Sequence, residues 1–139
     1  MLTRAAITSL LLLSGTSLLL AQETKSTSTG VFTQEQAQKG EAAYQRVCAS
    51  CHGADLHSTE PEAPDLTEGA FKFGWQGKTI ADRFEIIRNT MPPGRGASLD
   101  DQTYLDIVTY ILRFNNIAAG NQGLQPDINV LKQIVISVP

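Results

Sequence analysis

The 139-residue sequence has little of what many functional classes require. It carries two Cys and two His, which excludes a disulfide-stapled scaffold and a zinc site of four Cys/His ligands near the cysteine pair. Positive charge is scarce as well. Eleven Lys and Arg stand against 14 Asp and Glu, a net charge of -3. That leaves no basic stripe for a nucleic-acid backbone and no block of like charge to serve as an interaction tail. Hydrophobic residues at 42% and charged residues at 18% exclude a disordered or fibrous chain. The length suits one domain.

A long uninterrupted apolar run is also missing. Arg4 is followed by Ala5-Ala6-Ile7, Leu10 to Leu13 and Leu18 to Leu20, but Ser14-Gly15-Thr16-Ser17 breaks the run. This is a poor permanent membrane span. It has the n-region, h-region and small terminal residue, Ala21, of an export signal over residues 1–21. Leu19 fits the small-x-small cleavage rule badly, so an uncleaved anchor is the alternative. Cleavage would leave 118 exported residues with a net charge of -4, since only Arg4 among the charged residues is lost.

Residues 22–32 are Ser/Thr-rich and are expected to form a flexible linker. A first helix is expected over Gln34 to Val47, opened by the capping pattern Thr33-x-x-Gln36. Ala37, Tyr44 and Val47 form its apolar stripe, with Gly40 on the same side. A glycine there costs about 1 kcal/mol relative to alanine, which points to close approach by another helix. From Gly53 to Lys78, Pro61, Pro64, Gly69, Gly74 and Gly77 forbid a long regular element. A second helix starts at Thr79-x-x-Asp82, with Ile80, Phe84 and Ile87 on one face, and stops before Pro92. Residues 91–97 form an irregular loop around two prolines without amide donors. A third helix opens at Ser98, with Asp100 and Asp101 favourable to its dipole, and ends by Asn115-Asn116. Ile128 to Ile136 is a short helix or a strand. The expected class is all-α, with three main helices, long loops and no internal repeat. Its domain covers residues 33–116, with an extension over 117–139 packed on or near it.

Cys48-Ala49-Ser50-Cys51-His52 is a C-x-x-C-H sequence, the attachment pattern of c-type haem. Two thiols three residues apart at the end of a helix reach vinyl groups on one porphyrin edge, and the next residue, His52, comes under the iron. A disulfide within C-x-x-C would close a very small loop and stabilise little. A thioredoxin-like pair needs a βαβ setting that this chain lacks. Zinc would need two further ligands, and only His57 remains beyond His52.

For a sixth ligand two groups are left. His57, five residues beyond His52, is too close in sequence to reach the opposite face of a porphyrin and is expected to be exposed to solvent. Met91, 39 positions beyond His52 in Thr90-Met91-Pro92-Pro93-Gly94, has ample chain and a stiff loop. Core packing is the ordinary use of a lone Met, but beside a haem site a thioether ligand is the stronger reading. A His/Met pair favours reduced iron and raises the potential.

With C-A-S-C-H-G, T-M-P-P-G and a last helix reading Y-L-D-I-V-T-Y-I-L, the sequence resembles a class I cytochrome c over about residues 33–116. It is most similar to small cytochromes associated with quinoprotein dehydrogenases of bacterial periplasms. The resemblance implies one haem c, held through Cys48 and Cys51, and a helix contact between Gly40 and Tyr110. It also implies a segment Pro64-Asp65-Leu66 passing over the haem, with Leu66 as an apolar wall. Trp75 is either core packing or a hydrogen-bond donor to a haem propionate. Arg95 is either a propionate partner or an exposed surface arginine.

A six-coordinate haem offers no open iron position, which favours electron transfer over catalysis. The expectation is a periplasmic, monomeric one-electron carrier between a dehydrogenase, a quinoprotein one included, or a quinol-oxidising complex and a terminal oxidase or another cytochrome. A haem enzyme or gas sensor with a displaceable Met91 is one rival. A cytochrome subunit fixed to a dehydrogenase complex is another. The acidic balance points to partners with a basic or largely apolar docking face.

Overall fold

A computed structural model describes residues 24–139; the export segment expected over residues 1–21 lies outside them. Helix α1, Gln34–Val47, starts at Thr33, whose hydroxyl oxygen accepts the Gln36 amide at 3.1 Å. The reciprocal half of the expected capping pattern is absent because Gln36 turns inward instead. Its Nε2 donates to Asp106 and to the Leu124 carbonyl, both at 3.0 Å, and its Oε1 accepts the Leu124 amide at 2.8 Å.

Cys48 caps α1 and leads into α2, a single turn over Ala49–His52. Within the stretch expected to lack a long element lies α3, Glu68–Trp75. Phe71 and Trp75 are one turn apart and both buried, which secures the helix despite Gly69 and Gly74. Helix α4, Ile80–Thr90, has the full capping box: Thr79 accepts the Asp82 amide at 3.1 Å, and Asp82 accepts the Thr79 amide at 2.7 Å. Helix α5, Asp101–Phe114, begins three residues later than expected, with Asp100 as its cap. Ala97 still lies in the left-handed region at φ 55, and the Ser98 amide donates to the Tyr104 hydroxyl, so the chain is still turning there.

Helices α1 and α5 pack against each other, and α4 lies against α5. Phe32, Tyr44, Leu56, Tyr104, Val108 and Ile111 lie in the core between them. Each such side chain contributes about 1.5–3 kcal/mol by leaving water. At the crossing of α1 and α5, a Cβ on Gly40 would stand 1.9 Å from the Asp106 carbonyl oxygen. The helix approach expected of Gly40 is therefore made to the backbone of α5. Tyr110 lies one turn beyond Asp106 and meets Tyr44, with ring centroids 5.2 Å apart.

The segment expected as a linker over residues 22–32 does not behave as one from Lys25 onward. Strand β1, Lys25–Ser26, pairs in parallel with β2, Ile134–Val135. Thr27 and Phe32 are fully buried, and Phe32 accepts the Gly120 amide at 2.7 Å. Ser/Thr composition suggested a free chain, but Thr27 instead exchanges hydrogen bonds with the Ser137 backbone. The C-terminal extension supplies both kinds of structure, a one-turn helix α6 at Ile128–Leu131 and then β2. Ile117, Leu124, Leu131, Ile134 and Ile136 are buried, and the Ile136 backbone bonds Gly77 and Lys78. The class is all-α, with a two-residue ladder joining the two ends of the described chain.

Gly40→Ala is expected to destabilise the protein by roughly 1–3 kcal/mol, because overpacking against the α5 backbone outweighs the better helix propensity of alanine. A chemical-denaturation midpoint that rises for this variant would show that the crossing can open to admit a methyl group.

Candidate functional site

The chain reverses sharply after α2. Gly53 lies at φ 77, and a Cβ there would stand 1.9 Å from the His57 carbonyl oxygen, so only glycine fits. The Gly53 carbonyl accepts from the buried Tyr44 hydroxyl at 2.8 Å, tying the end of the motif back to α1. Burial, followed by the neighbouring Cys48, holds the Tyr44 phenol well above its ordinary value, so it remains a donor. Cys48 and Cys51 form no disulfide. Burial, with Cys51 beside it, pushes the Cys48 thiol up to about 11.

His52 is buried, and its Nδ1 lies 3.0 Å from the Pro64 carbonyl. A carbonyl can only accept, so Nδ1 carries the proton and Nε2 keeps its lone pair for a metal. The 64–66 segment that fixes His52 is itself held at Leu66. The Leu66 amide donates to Leu56 at 3.0 Å, and its carbonyl accepts from the Asn115 side chain at 2.9 Å.

Met91 closes α4, its amide donating to Ile87 at 2.9 Å. Its carbonyl accepts from the Tyr104 hydroxyl at 2.8 Å, and that same hydroxyl oxygen accepts the Ser98 amide at 3.1 Å. One buried phenol thus fastens both sides of the Pro-Pro-Gly loop. Beyond it, the Ala97 amide donates to the Arg88 carbonyl at 2.6 Å.

These segments surround one cavity of about 680 Å³, within the range usual for cofactor sites. Cys48, Cys51, His52, Met91, Leu66, Trp75 and Arg95 all line it. Val47, Ile87, Ile107 and Ile111 make much of the remaining wall apolar. Trp75 is buried and packs on Phe71 at 5.0 Å between ring centroids, while Arg95 lines the rim as an exposed residue. His57 is not part of the wall. It is exposed, and its Nδ1 lies 3.1 Å from Asp65 and 3.2 Å from the Thr67 hydroxyl. Hydrogen bonds from Thr67, and then from His57, hold the Asp65 carboxyl below its ordinary value.

Several lining residues escaped the sequence reading, and one of them is a cation. Arg83 on α4 faces the cavity, with its guanidinium carbon 5.7 Å from the centre of the Trp75 ring. It sits between Ile80 and Ile87 at helical spacing, so a cation on an otherwise apolar stripe was the available signal. Among the described residues there is no cluster of three or more His, Cys, Asp or Glu fit for a metal ion, and no helix long and apolar enough to cross a membrane.

The donor set fits a c-type haem: two thiols and a histidine on one short turn, a thioether on a separate loop, and apolar walls between. Comparison with known proteins agrees. Residues 35–111, more than half of the chain, match the family described as cytochrome c oxidase, cbb3-type, subunit III. The chain belongs to this family of c-type cytochromes. It carries a covalently bound c-type haem, and its chemistry is haem-based electron transfer. A curated relative, the cbb3-type cytochrome c oxidase subunit CcoP of Azospirillum brasilense, is 28% identical over 89 residues. That alignment takes in 60% of the cytochrome and 29% of the subunit, so the cytochrome spans under a third of that relative's length. No solved structure gives a significant match.

Tyr104→Phe is expected to cost about 1–2 kcal/mol, since it leaves the Met91 carbonyl and the Ser98 amide without their common partner. The loss should appear in thermal unfolding of the haem-loaded cytochrome. Faster hydrogen exchange at the Ser98 amide should accompany it, and unchanged exchange there would remove Tyr104 as the fastener of the loop.

Proposed function

We propose that this cytochrome is an exported, periplasmic one-electron carrier whose iron is held by His52 and Met91. The observation that carries the ligand pair is that both side chains line one cavity and His57 lies outside it. Met91 is also the single methionine of the described chain. Cys48 and Cys51 are the two thioether positions, and Leu66 is part of the apolar wall.

When bound, the haem supplies a one-electron ferric/ferrous couple. The protein residues hold and tune it. Pro64 fixes the His52 ring through its carbonyl and raises the basicity of the coordinating nitrogen. The Met91 thioether favours the reduced state, and Leu66, Ile87, Ile107 and Ile111 keep water from the centre. Electrons would arrive from a dehydrogenase, a quinoprotein enzyme among the candidates, or from a quinol-oxidising complex. They would leave to a terminal oxidase or another cytochrome. The acidic balance suits basic or apolar docking faces, and the carrier works as a monomer. A second reading, a cytochrome domain fixed within a larger respiratory complex, is favoured by the likeness to one portion of an oxidase subunit. Co-purification of the untagged protein with a larger complex would select it.

Visible spectra of the oxidised and reduced protein, beside those of Met91→Ala, test the ligand pair. The ferric parent should show the weak long-wavelength band of a sulfur-ligated haem, and the variant should lose it. Reduced parent should resist carbon monoxide at neutral pH while the variant binds it, and the variant's potential should fall. A parent that lacks the band and binds carbon monoxide readily would move the haem enzyme or gas sensor ahead of the carrier.

A further inference from the structure

Arg83 is a cation on the cavity wall whose chemistry the ligand set does not use. Its Nε is buried and has no hydrogen-bond partner, the only such side-chain atom among the described residues. An N–H removed from water without an acceptor is costly, and buried polar atoms are normally hydrogen-bonded. No carboxylate of the described chain lies within ion-pair distance of it. Of the acidic groups on the cavity wall, Asp65 is engaged by Thr67 and His57, while Glu60 and Glu62 are exposed. Its neighbour Asp82 is committed to the cap of α4. The guanidinium carbon lies over the Trp75 ring, 5.7 Å from its centre, and a ring face offers its N–H groups no ordinary acceptor, which leaves them for another partner.

A planar fork aimed into a site is matched by a carboxylate, which it can hold through two parallel bonds. A haem carries two such groups, its propionates, as its only anions. We propose that Arg83, placed over the Trp75 ring, anchors a haem propionate and thereby sets the reduction potential, and that the exposed Arg95 does not. This rests on the haem occupying the cavity. Burial pulls the guanidinium below its ordinary value. In the pair, the arginine offsets the propionate's negative charge, which would otherwise favour ferric iron.

The test uses the haem-loaded protein and its variants Arg83→Gln, Arg83→Lys and Arg95→Gln, with potentials measured from pH 5 to pH 9. Arg83→Gln should keep the visible spectrum of the parent but lower the equilibrium constant for reduction about tenfold, ~59 mV for a one-electron couple. Its potential should also become more dependent on pH, because an unpaired propionate takes up a proton more easily. The other ionisable groups on the wall that stay free or bound as in the parent, Tyr44, His52, Glu60, Glu62, Asp65 and Arg95, are unaltered in that variant, so the added dependence belongs to the lost pair. Arg95→Gln should match the parent. An Arg83→Gln potential and pH profile equal to the parent's, or a shift as large in Arg95→Gln, overturns the proposal. If Arg83→Gln fails to load haem, Arg83→Lys decides: the single ammonium should loosen the pair and add pH dependence, and a profile superimposable on the parent's rejects the fork. A parent without covalent haem would instead remove the carrier reading itself, a result visible before any potential is measured.

Discussion

The crossing of α1 and α5 at Gly40 is the constraint on which the rest of the molecule depends. Backbone meets backbone there, with the Asp106 carbonyl in the space a side chain would need. So close an approach brings Tyr44 of one helix onto Tyr110 of the other and lets Gln36 reach Asp106. The end of α1 is the attachment motif itself. A shift of that helix by an ångström would carry Cys48, Cys51 and His52 with it, and covalent attachment at two thiols leaves little slack for such movement.

From α5 the other walls of the cavity are hung by side chains that seize main-chain carbonyls. Tyr104, near the start of that helix, takes the carbonyl of Met91, and Asn115, at its end, takes that of Leu66. His52 does the same to Pro64. Irregular segments that form no helix or sheet ladder must still satisfy their backbone, and here the carbonyls of Met91, Leu66 and Pro64 are satisfied by the side chains of Tyr104, Asn115 and His52. The loops are long, yet the polar groups that bear on the haem centre are few and individually fixed. Arg83 breaks that pattern, its buried Nε a donor for which the described residues provide no acceptor.

Much of this was legible in residue pattern alone, and the reasons differ by element. The three main helices follow from capping residues and apolar spacing, both local properties. The attachment motif is readable because its spacing is dictated by the cofactor, not by the fold. Gly40 announced a close contact but not its partner, since the choice between the Tyr110 ring and the Asp106 backbone depends on a crossing angle that no local pattern encodes. Residues 25–32 were misjudged for a related reason. Ser/Thr-rich composition normally marks a free chain, but the acceptors and donors that bury Thr27 come from Ser137, far away in sequence. Helix α3 was hidden by its glycines, and Arg83 because a charge on an amphipathic helix ordinarily faces solvent.

The clasp between Lys25–Ser26 and Ile134–Val135 has a consequence for how the chain acquires its shape. Thr27 and Ser137 are 110 positions apart, so their pairing closes nearly all of the described chain into a ring. Loop-closure entropy opposes such a contact until intervening segments have already brought the ends together. The α1–α5 crossing and the docking of the tail on α4 do that bringing together. Two-residue strands contribute too little to nucleate anything themselves, so the clasp is a record that assembly has finished.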